Sequence, residues 1–128
     1  MPVLLEMVLR LLLAVVLGAI VGFQRERAGK AAGLRTNILI CLGSALFTVV
    51  SIYGFSVDPA RVAAGIVTGI GFLGAGAIIM RREEGIITGL TTAATIWAVA
   101  GIGLAVGVGM YLVALVASVL VLGILYLP

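Results

Sequence analysis

The chain has 128 residues, of which 63% are hydrophobic and 10% are charged, and its formal net charge is +3. Soluble domains are about 45–50% apolar and about 25% charged, so this chain has too little polar surface to cover a water-soluble globule. The composition excludes an ordinary soluble domain and favours a protein that folds in a lipid bilayer.

Long apolar stretches between small groups of charges predict membrane-spanning helices. A helix needs about 20 apolar residues to cross about 30 Å of hydrocarbon. Five stretches fit, and we predict an all-α, multi-pass membrane protein with a single domain over residues 1–128. In chain order the spans are Val3–Phe23, Thr36–Tyr53, Ala60–Met80, Thr88–Ala105 and Gly109–Leu127. Only a Gly-Val-Gly break at 107–109 divides the last two, so four longer spans are the alternative.

The basic residues of the short loops predict the orientation of the chain. Loops rich in Lys and Arg stay in the cytoplasm. The loops after the first and third spans hold six such residues, and the loop after the second span holds only Arg61. The six are Arg25, Arg27, Lys30, Arg35, Arg81 and Arg82. We therefore expect the N-terminus outside and the C-terminus in the cytoplasm. No aromatic residues are interleaved with these charges, so we expect no nucleic-acid partner.

The first span carries a face of small residues and a pair of charges near its start. Ala14, Gly18 and Gly22 recur every four residues, a spacing typical of helices whose backbones pack closely. Glu6 and Arg10 are i,i+4 neighbours, so they can satisfy each other's charge.

Small polar side chains form one face on the second span and another on the fourth. Their spacing of three and four residues places each set on one side of its helix. The residues are Asn37, Cys41, Ser44, Thr48 and Ser51 in the second span, and Thr88, Thr91, Thr92 and Thr95 in the fourth. Such groups either hydrogen-bond helices together or line a path for an ion or solute. The absence of any ionisable residue from the centre of a span favours the first interpretation, but both stay open.

The third span begins with Asp58 and Pro59, a strong signal for the start of a helix. Arg61 follows in the first turn, where the positive helix end disfavours it. It can pair with Asp58, or with Glu6 if the two helices are adjacent. We treat Asp58 and Arg61 as a candidate polar site on the extracytoplasmic side.

The same span contains GIGFLG at positions 69–74, a formal match to the dinucleotide-binding fingerprint. That fingerprint follows a strand in a soluble βαβ unit, whereas this one lies in the middle of an apolar span. We therefore interpret Gly69, Gly71, Gly74 and Gly76 as helix-packing residues, together with Gly18 and Gly22 of the first span.

Catalytic chemistry finds no support in the residues present. The chain has no His and a single cysteine, Cys41, so it can form neither an internal disulfide nor a Cys–His pair. Oxygen ligands for Mg²⁺ near the membrane come only from Glu26, Asp58, Glu83 and Glu84. We predict no enzyme, no catalytic residue, no metal site and no cofactor.

Three segments of the chain resemble a known family. They are RERAGKAAGLRTNILICLGSALF, DPARVAAGIVTGIGFLGAGAII and GLTTAATIWAVAGIG. Their order and spacing are similar to the signature segments of the MgtC/SapB membrane-protein family. The resemblance implies five membrane helices in the bacterial inner membrane, and a link to growth at low Mg²⁺ and to intracellular survival of pathogens. It implies a regulator that contacts other membrane proteins, including the ATP synthase. The alternative is a small transporter of Mg²⁺, another cation or a solute, which uses the Ser and Thr faces.

The resemblance also implies a functional site at the cytoplasmic mouth of the bundle. By position in the motifs, its residues are Arg25, Glu26, Arg35, Thr36, Asn37, Cys41, Thr91 and Thr92. Glu26 is the nearest carboxylate in sequence to these arginines, so the region is either a structural ion pair that closes the bundle or a recognition site for a partner or an anionic lipid head. Two departures weaken the transfer: Gln24 stands where many relatives have Glu, and Gly65 stands where relatives often have Gln.

Two further expectations concern the extent and assembly of the protein. Several family members carry a soluble cytoplasmic domain after the last helix, whereas this sequence stops at Pro128. We expect a transmembrane domain without that addition, either as a minimal member or as a piece of a longer chain. A five-helix protein this small exposes much of its helix surface, so we expect a homo-oligomer, with a dimer favoured.

Overall fold

The computed structural model describes residues 2–55, 58, 60–80 and 89–128, which form five helices and no strand. In chain order these are α1 (Pro2–Arg27), α2 (Leu34–Gly54), α3 (Ala60–Met80), α4 (Leu90–Val108) and α5 (Tyr111–Leu125). The predicted all-α fold is confirmed. Four helices, α1 to α4, are long and apolar enough to cross a membrane. The fifth has 15 residues and is about 22 Å long, which is shorter than the hydrocarbon is thick.

Several predictions fall on residues outside the described ranges. They concern the second basic loop with Arg81, Arg82, Glu83 and Glu84, the start of the fourth span at Thr88, and Pro59. The orientation of the bundle across the membrane also stays a prediction. GIGFLG lies within α3, and no strand precedes it among the described residues, which agrees with a membrane helix and not with a dinucleotide-binding fingerprint.

The break between α4 and α5 is sharper than the glycine pattern indicated. Gly109 has φ +89°, in the left-handed region that glycine tolerates. Its N–H donates to the carbonyl of Val106, and the N–H of Met110 donates to that of Ala105. These two bonds are the Schellman arrangement that ends a helix. The placement of Gly107 in a loop is therefore wrong, because α4 continues to Val108.

The helices α1, α2 and α4 form the tightly packed part of the bundle, and α4 contacts every other helix. Glycines let their backbones approach. A Cβ added to Gly18 of α1 would lie 2.8 Å from the carbonyl oxygen of Asn37 in α2. One added to Gly107 of α4 would lie 2.6 Å from the Cβ of Thr48 in α2. Any side chain at these positions would push the helices apart.

The remaining long helix, α3, is less tightly held, because it packs mainly on α4 and touches α2 sparsely. A Cβ added to Gly69, Gly71 or Gly76 would meet no described atom within 4 Å, and one on Gly74 would make an ordinary contact of 3.5 Å with Ala93. The close packing predicted for the first three is thus not found within the described part of the chain. Their backbone faces outward, and Gly69 lines an apolar groove of 710 Å³ between α2 and α3.

Candidate functional site

The first and third sequence motifs meet at one end of the bundle, where α1 ends and α2 and α4 begin. Arg25 lies in the last turn of α1 and is only 3% exposed. Its Nη2 donates a hydrogen bond of 2.7 Å to Oγ1 of Thr92, which is buried in the first turn of α4. We call this part of the molecule the Arg25 end. It joins two residues of the predicted mouth that lie 67 positions apart in sequence.

Asn37 and Glu26 hold the loop that leads into α2. The Asn37 side chain is fully buried, and its Nδ2 donates to the carbonyls of Ala32 and Gly33 at 3.1 and 2.9 Å. Glu26 Oε1 accepts the N–H of Leu34, the first residue of α2, at 3.1 Å. The carboxylate of Glu26 therefore caps α2, although its position in sequence had made it the nearest candidate to balance a mouth arginine.

Several polar atoms at this end of the bundle have no partner among the described residues. Arg25 Nε, Gln24 Oε1 and Asn37 Oδ1 are all buried, and the structure gives none of them a hydrogen bond. Within the described ranges the one ion pair lies elsewhere, between Glu6 and Arg10. The buried guanidinium of Arg25 is thus bound to a neutral hydroxyl, and no described carboxylate compensates its charge.

The other predicted mouth residues divide into an exposed group and a buried one. Arg35, Thr36 and Thr91 are exposed around the Arg25 end, where they are accessible to a partner. Cys41 is fully buried. A Cβ on Gly18 would lie 2.9 Å from the Cβ of Cys41, so this residue packs between α1 and α2 and does not reach the mouth.

The polar stripe of α2 and the threonines of α4 are bonded largely to helix backbone. Ser44 Oγ donates to the Ala100 carbonyl at 2.6 Å and so links α2 to α4. Thr48 Oγ1 donates to the carbonyl one turn earlier in its own helix, and Thr95 Oγ1 does the same in α4. Ser51 Oγ, by contrast, is buried without a partner among the described residues. This pattern favours hydrogen bonding within the bundle over a polar lining.

A second buried arginine, at the opposite end of α1, joins four helices. Arg10 is 6% exposed. Its Nη2 donates to Glu6 at 2.8 Å, its Nη1 to the carbonyl of Gly107 at 2.9 Å, and its Nε to the hydroxyl of Tyr111 at 3.0 Å. Its Cζ lies 5.4 Å from the ring centroid of Tyr53 in α2. We call Arg10, Glu6, Gly107, Tyr111 and Tyr53 the Arg10 cluster.

Sequence reasoning found only the local part of the Arg10 cluster. Glu6 and Arg10 are one turn apart, and their pairing is confirmed. The contacts to Gly107 and Tyr111 span 97 and 101 positions. The sequence indicates these contacts only through Arg10 itself, because an arginine inside an apolar span has more hydrogen-bond donors than one carboxylate accepts.

The candidate site at Asp58 and Arg61 is a helix start in the structure. Asp58 Oδ1 accepts the N–H of Ala60 at 2.9 Å, which confirms the predicted cap on α3. The side chain of Arg61 is exposed and forms no ion pair within the described ranges. Glu6 is bonded to Arg10 and Tyr111 instead. Asp58 thus caps α3, and an extracytoplasmic site formed by these two residues stays a prediction.

Comparison with known proteins places the chain among relatives of one family. The model of the MgtC family matches residues 11–128. The chain is 47% identical to YhiD of Escherichia coli (strain K12), an alignment that covers 94% of this chain and 59% of the relative. It is 47% identical to the protein MgtC of Salmonella typhimurium (strain LT2), over 90% of this chain and 49% of the relative. It is 42% identical to the protein SapB of Bacillus subtilis (strain 168), over 83% and 49%.

The chain spans about half the length of the curated relatives it matches. No solved structure matches it. The match over residues 11–128 covers all three sequence motifs and the Arg25 end, whereas Glu6 and Arg10 lie just before it. The chain belongs to the MgtC family and is a multi-pass protein of the bacterial inner membrane.

Proposed function

We propose that this protein is a non-enzymatic regulator that helps bacteria adapt to low Mg²⁺. Its similarity to MgtC and YhiD supports a role connected with Mg²⁺. The observation that carries the regulatory role is the Arg25 end, where two family motifs bring a buried guanidinium, with no counter-ion among the described residues, against the start of α4. Because Arg35, Thr36 and Thr91 surround it at the surface, this end offers a recognition site for another molecule.

The partners we propose are other membrane proteins, and the family resemblance makes the ATP synthase one candidate. We expect the Arg25 end on the cytoplasmic side, because the loop between α1 and α2 is basic and such loops stay in the cytoplasm. We also propose a homodimer, since the outward glycines of α3 and the groove beside them leave a long apolar helix face without a neighbour among the described residues.

Transport of Mg²⁺ is the second candidate function, favoured by the name of YhiD, which provisionally describes a magnesium transporter. Against it, the hydroxyls of Ser44, Thr48 and Thr95 are bonded to helix carbonyls. A permeating cation needs oxygen ligands that are free to replace its hydration shell.

The flux of Mg²⁺ into proteoliposomes separates the two functions. The purified protein is reconstituted into vesicles that contain a Mg²⁺-sensitive dye, and protein-free vesicles serve as the control. We expect equal entry of Mg²⁺ into both. Faster entry into the protein-containing vesicles would make transport the function. In parallel, the chain should restore growth at low Mg²⁺ to a strain that lacks its own family member.

The proposed orientation is tested by labelling single cysteines from outside the cell. In a Cys41→Ala background, Lys30→Cys in the loop after α1 should be shielded from an impermeant thiol reagent. Met110→Cys, exposed between α4 and α5, should react. Labelling at position 30 in intact cells would reverse the orientation.

A further inference from the structure

The Arg25 end concentrates positive charge inside the bundle. Arg25 is 3% exposed, and its single described hydrogen bond goes from Nη2 to the neutral hydroxyl of Thr92. Its Nε is buried with no partner among the described residues. A buried guanidinium is costly unless an anion or several acceptors match it.

The helix that Arg25 touches begins at the same place. In an α-helix the N–H groups of the first turn have no partner within the helix, and the aligned peptide dipoles place about half a positive charge there. The N-cap of α4 is Gly89, which supplies no side-chain cap. The N–H groups of Leu90, Thr91 and Thr92 therefore form a second positive group, in the same helix turn whose Thr92 hydroxyl accepts from the guanidinium.

A comparison with α2 shows what α4 lacks. The start of α2 lies at the same end of the bundle, and there the Glu26 carboxylate accepts the N–H of Leu34. The other described carboxylates are bonded elsewhere, Glu6 to Arg10 and Tyr111, and Asp58 to Ala60. Among the described residues, therefore, no anion balances either the Arg25 guanidinium or the positive start of α4.

We propose that the Arg25 end binds a phosphate-type oxyanion, held by the guanidinium of Arg25 and by the N–H groups that begin α4. Phosphate offers several oxygens, so one group accepts from the guanidinium and from the backbone N–H groups together. The same chemistry is found in free phosphate and in the headgroup of an anionic phospholipid. The inference rests on the proposed recognition role of this end and names the class of ligand recognised there.

Two probes distinguish the sources of the anion, and both use the whole chain. Radiolabelled inorganic phosphate is titrated against purified protein in neutral detergent at constant ionic strength. Separately, the melting temperature is measured in nanodiscs of phosphatidylcholine with and without phosphatidylglycerol. Saturable phosphate binding in detergent identifies the free anion. A higher melting temperature only with phosphatidylglycerol identifies the lipid headgroup. Neither response in the natural chain would overturn the proposal.

Substitutions locate the site. Arg25→Gln should weaken whichever response is seen by roughly tenfold or more, since it removes a charged donor. Arg27→Gln is the matched control, because Arg27 has the same charge in the same last turn of α1 but is exposed, and it should change the response little. Equal weakening by both substitutions would contradict a specific site. If Arg25→Gln does not fold, the phosphate titration and the nanodisc melting temperatures of the natural chain still test the proposal.

Glu83 and Glu84, outside the described ranges, provide the remaining carboxylates of the chain, so their removal is a necessary comparison. If phosphate binds only after Glu83→Gln and Glu84→Gln are combined, the chain supplies its own anion and the proposal fails. The proposed regulatory function is judged separately, by growth at low Mg²⁺. A chain that supports growth without binding either probe would contradict this inference alone, whereas a chain that binds but does not support growth would contradict the regulatory function alone.

Discussion

The two ends of α1 each bury an arginine, and the two arginines differ in how they are satisfied. Arg10 donates from all three of its nitrogens, to a carboxylate, a helix carbonyl and a tyrosine hydroxyl. Arg25 donates to one threonine hydroxyl, and its Nε has no described partner. Similar burial therefore accompanies opposite electrostatic situations: Arg10 is part of a completed network, whereas Arg25 is a cation without a described counter-ion.

This difference indicates different roles for the two residues. A satisfied buried charge holds helices together, and removing it leaves its partners unpaired. An unsatisfied buried charge destabilises the fold. We therefore infer that such a residue serves function, through a ligand or partner that it binds. Arg10 stabilises the last turn of α4 by donating to the Gly107 carbonyl, which the Schellman bonds to Ala105 and Val106 leave without a donor. Arg25 meets the positive start of the same helix.

The largest effect on stability is expected from Arg10→Met. The change removes three hydrogen bonds from a buried guanidinium and leaves the carbonyl of Gly107 without its donor. We expect the free energy of unfolding in detergent to fall by roughly 3 kcal/mol. The measurement is the denaturant midpoint of the purified protein. If the free energy of unfolding falls less than in Tyr111→Phe, Arg10 does not stabilise the bundle in the way that separates it from Arg25.

Gly107→Ala should have the next largest effect. The added Cβ would lie 2.6 Å from Thr48 Cβ, and the displaced backbone carries the carbonyl that Arg10 binds. Overpacking of this kind costs roughly 1–3 kcal/mol. The matched control is Gly101→Ala in the same helix, where the added Cβ would meet no described atom within 4 Å and better helix propensity stabilises by up to about 1 kcal/mol. Thermal melts of the two variants should move in opposite directions. A similar shift for both would show that α4 is packed no more tightly at Gly107 than at Gly101.

A smaller loss is expected from Tyr111→Phe. Its hydroxyl accepts from Arg10 and donates to Glu6, so the change removes two contacts and keeps the ring. The expected cost is about 1 kcal/mol. Tyr126→Phe is the control, because Tyr126 is 72% exposed beyond the end of α5. If the two variants unfold at the same denaturant concentration, the hydroxyl of Tyr111 does not stabilise the cluster.

The fold could be predicted largely from the sequence because transfer of a helix into a bilayer depends on local composition. Each apolar stretch identified a helix, and Asp58 marked the start of α3. The close contact at Gly18 was also foreseeable, since small residues at four-residue spacing present bare backbone to a neighbour.

The glycines show where such prediction ends. Gly107 lies in the packed last turn of α4, while Gly69 borders an open groove, yet both appear in sequence as glycines next to apolar residues. Which helix face meets a neighbour depends on the arrangement of the whole bundle, so a local pattern cannot determine it. The same holds for Arg10, whose partners in α4 and α5 are about 100 positions away.

The candidate site was predictable in part. Family motifs marked Arg25, Thr92 and Asn37, and the structure brings Arg25 and Thr92 into direct contact. The separate roles of Arg25 and Glu26 could not be predicted, because Glu26 is the nearest carboxylate in sequence and was expected to pair with an arginine of the mouth. Glu26 instead caps α2, a role that depends on the course of the loop at 28–33.

The most direct test of this account is Arg25→Met, with stability measured on the purified variant and activity measured as growth of cells that express it. The variant introduces an apolar side chain of similar length and removes the charge that no described carboxylate balances. We expect its free energy of unfolding to stay within about 1 kcal/mol of the natural protein, while support of growth at low Mg²⁺ is lost. A loss of stability as large as that of Arg10→Met, or undiminished growth, would contradict the assignment of Arg25 to function.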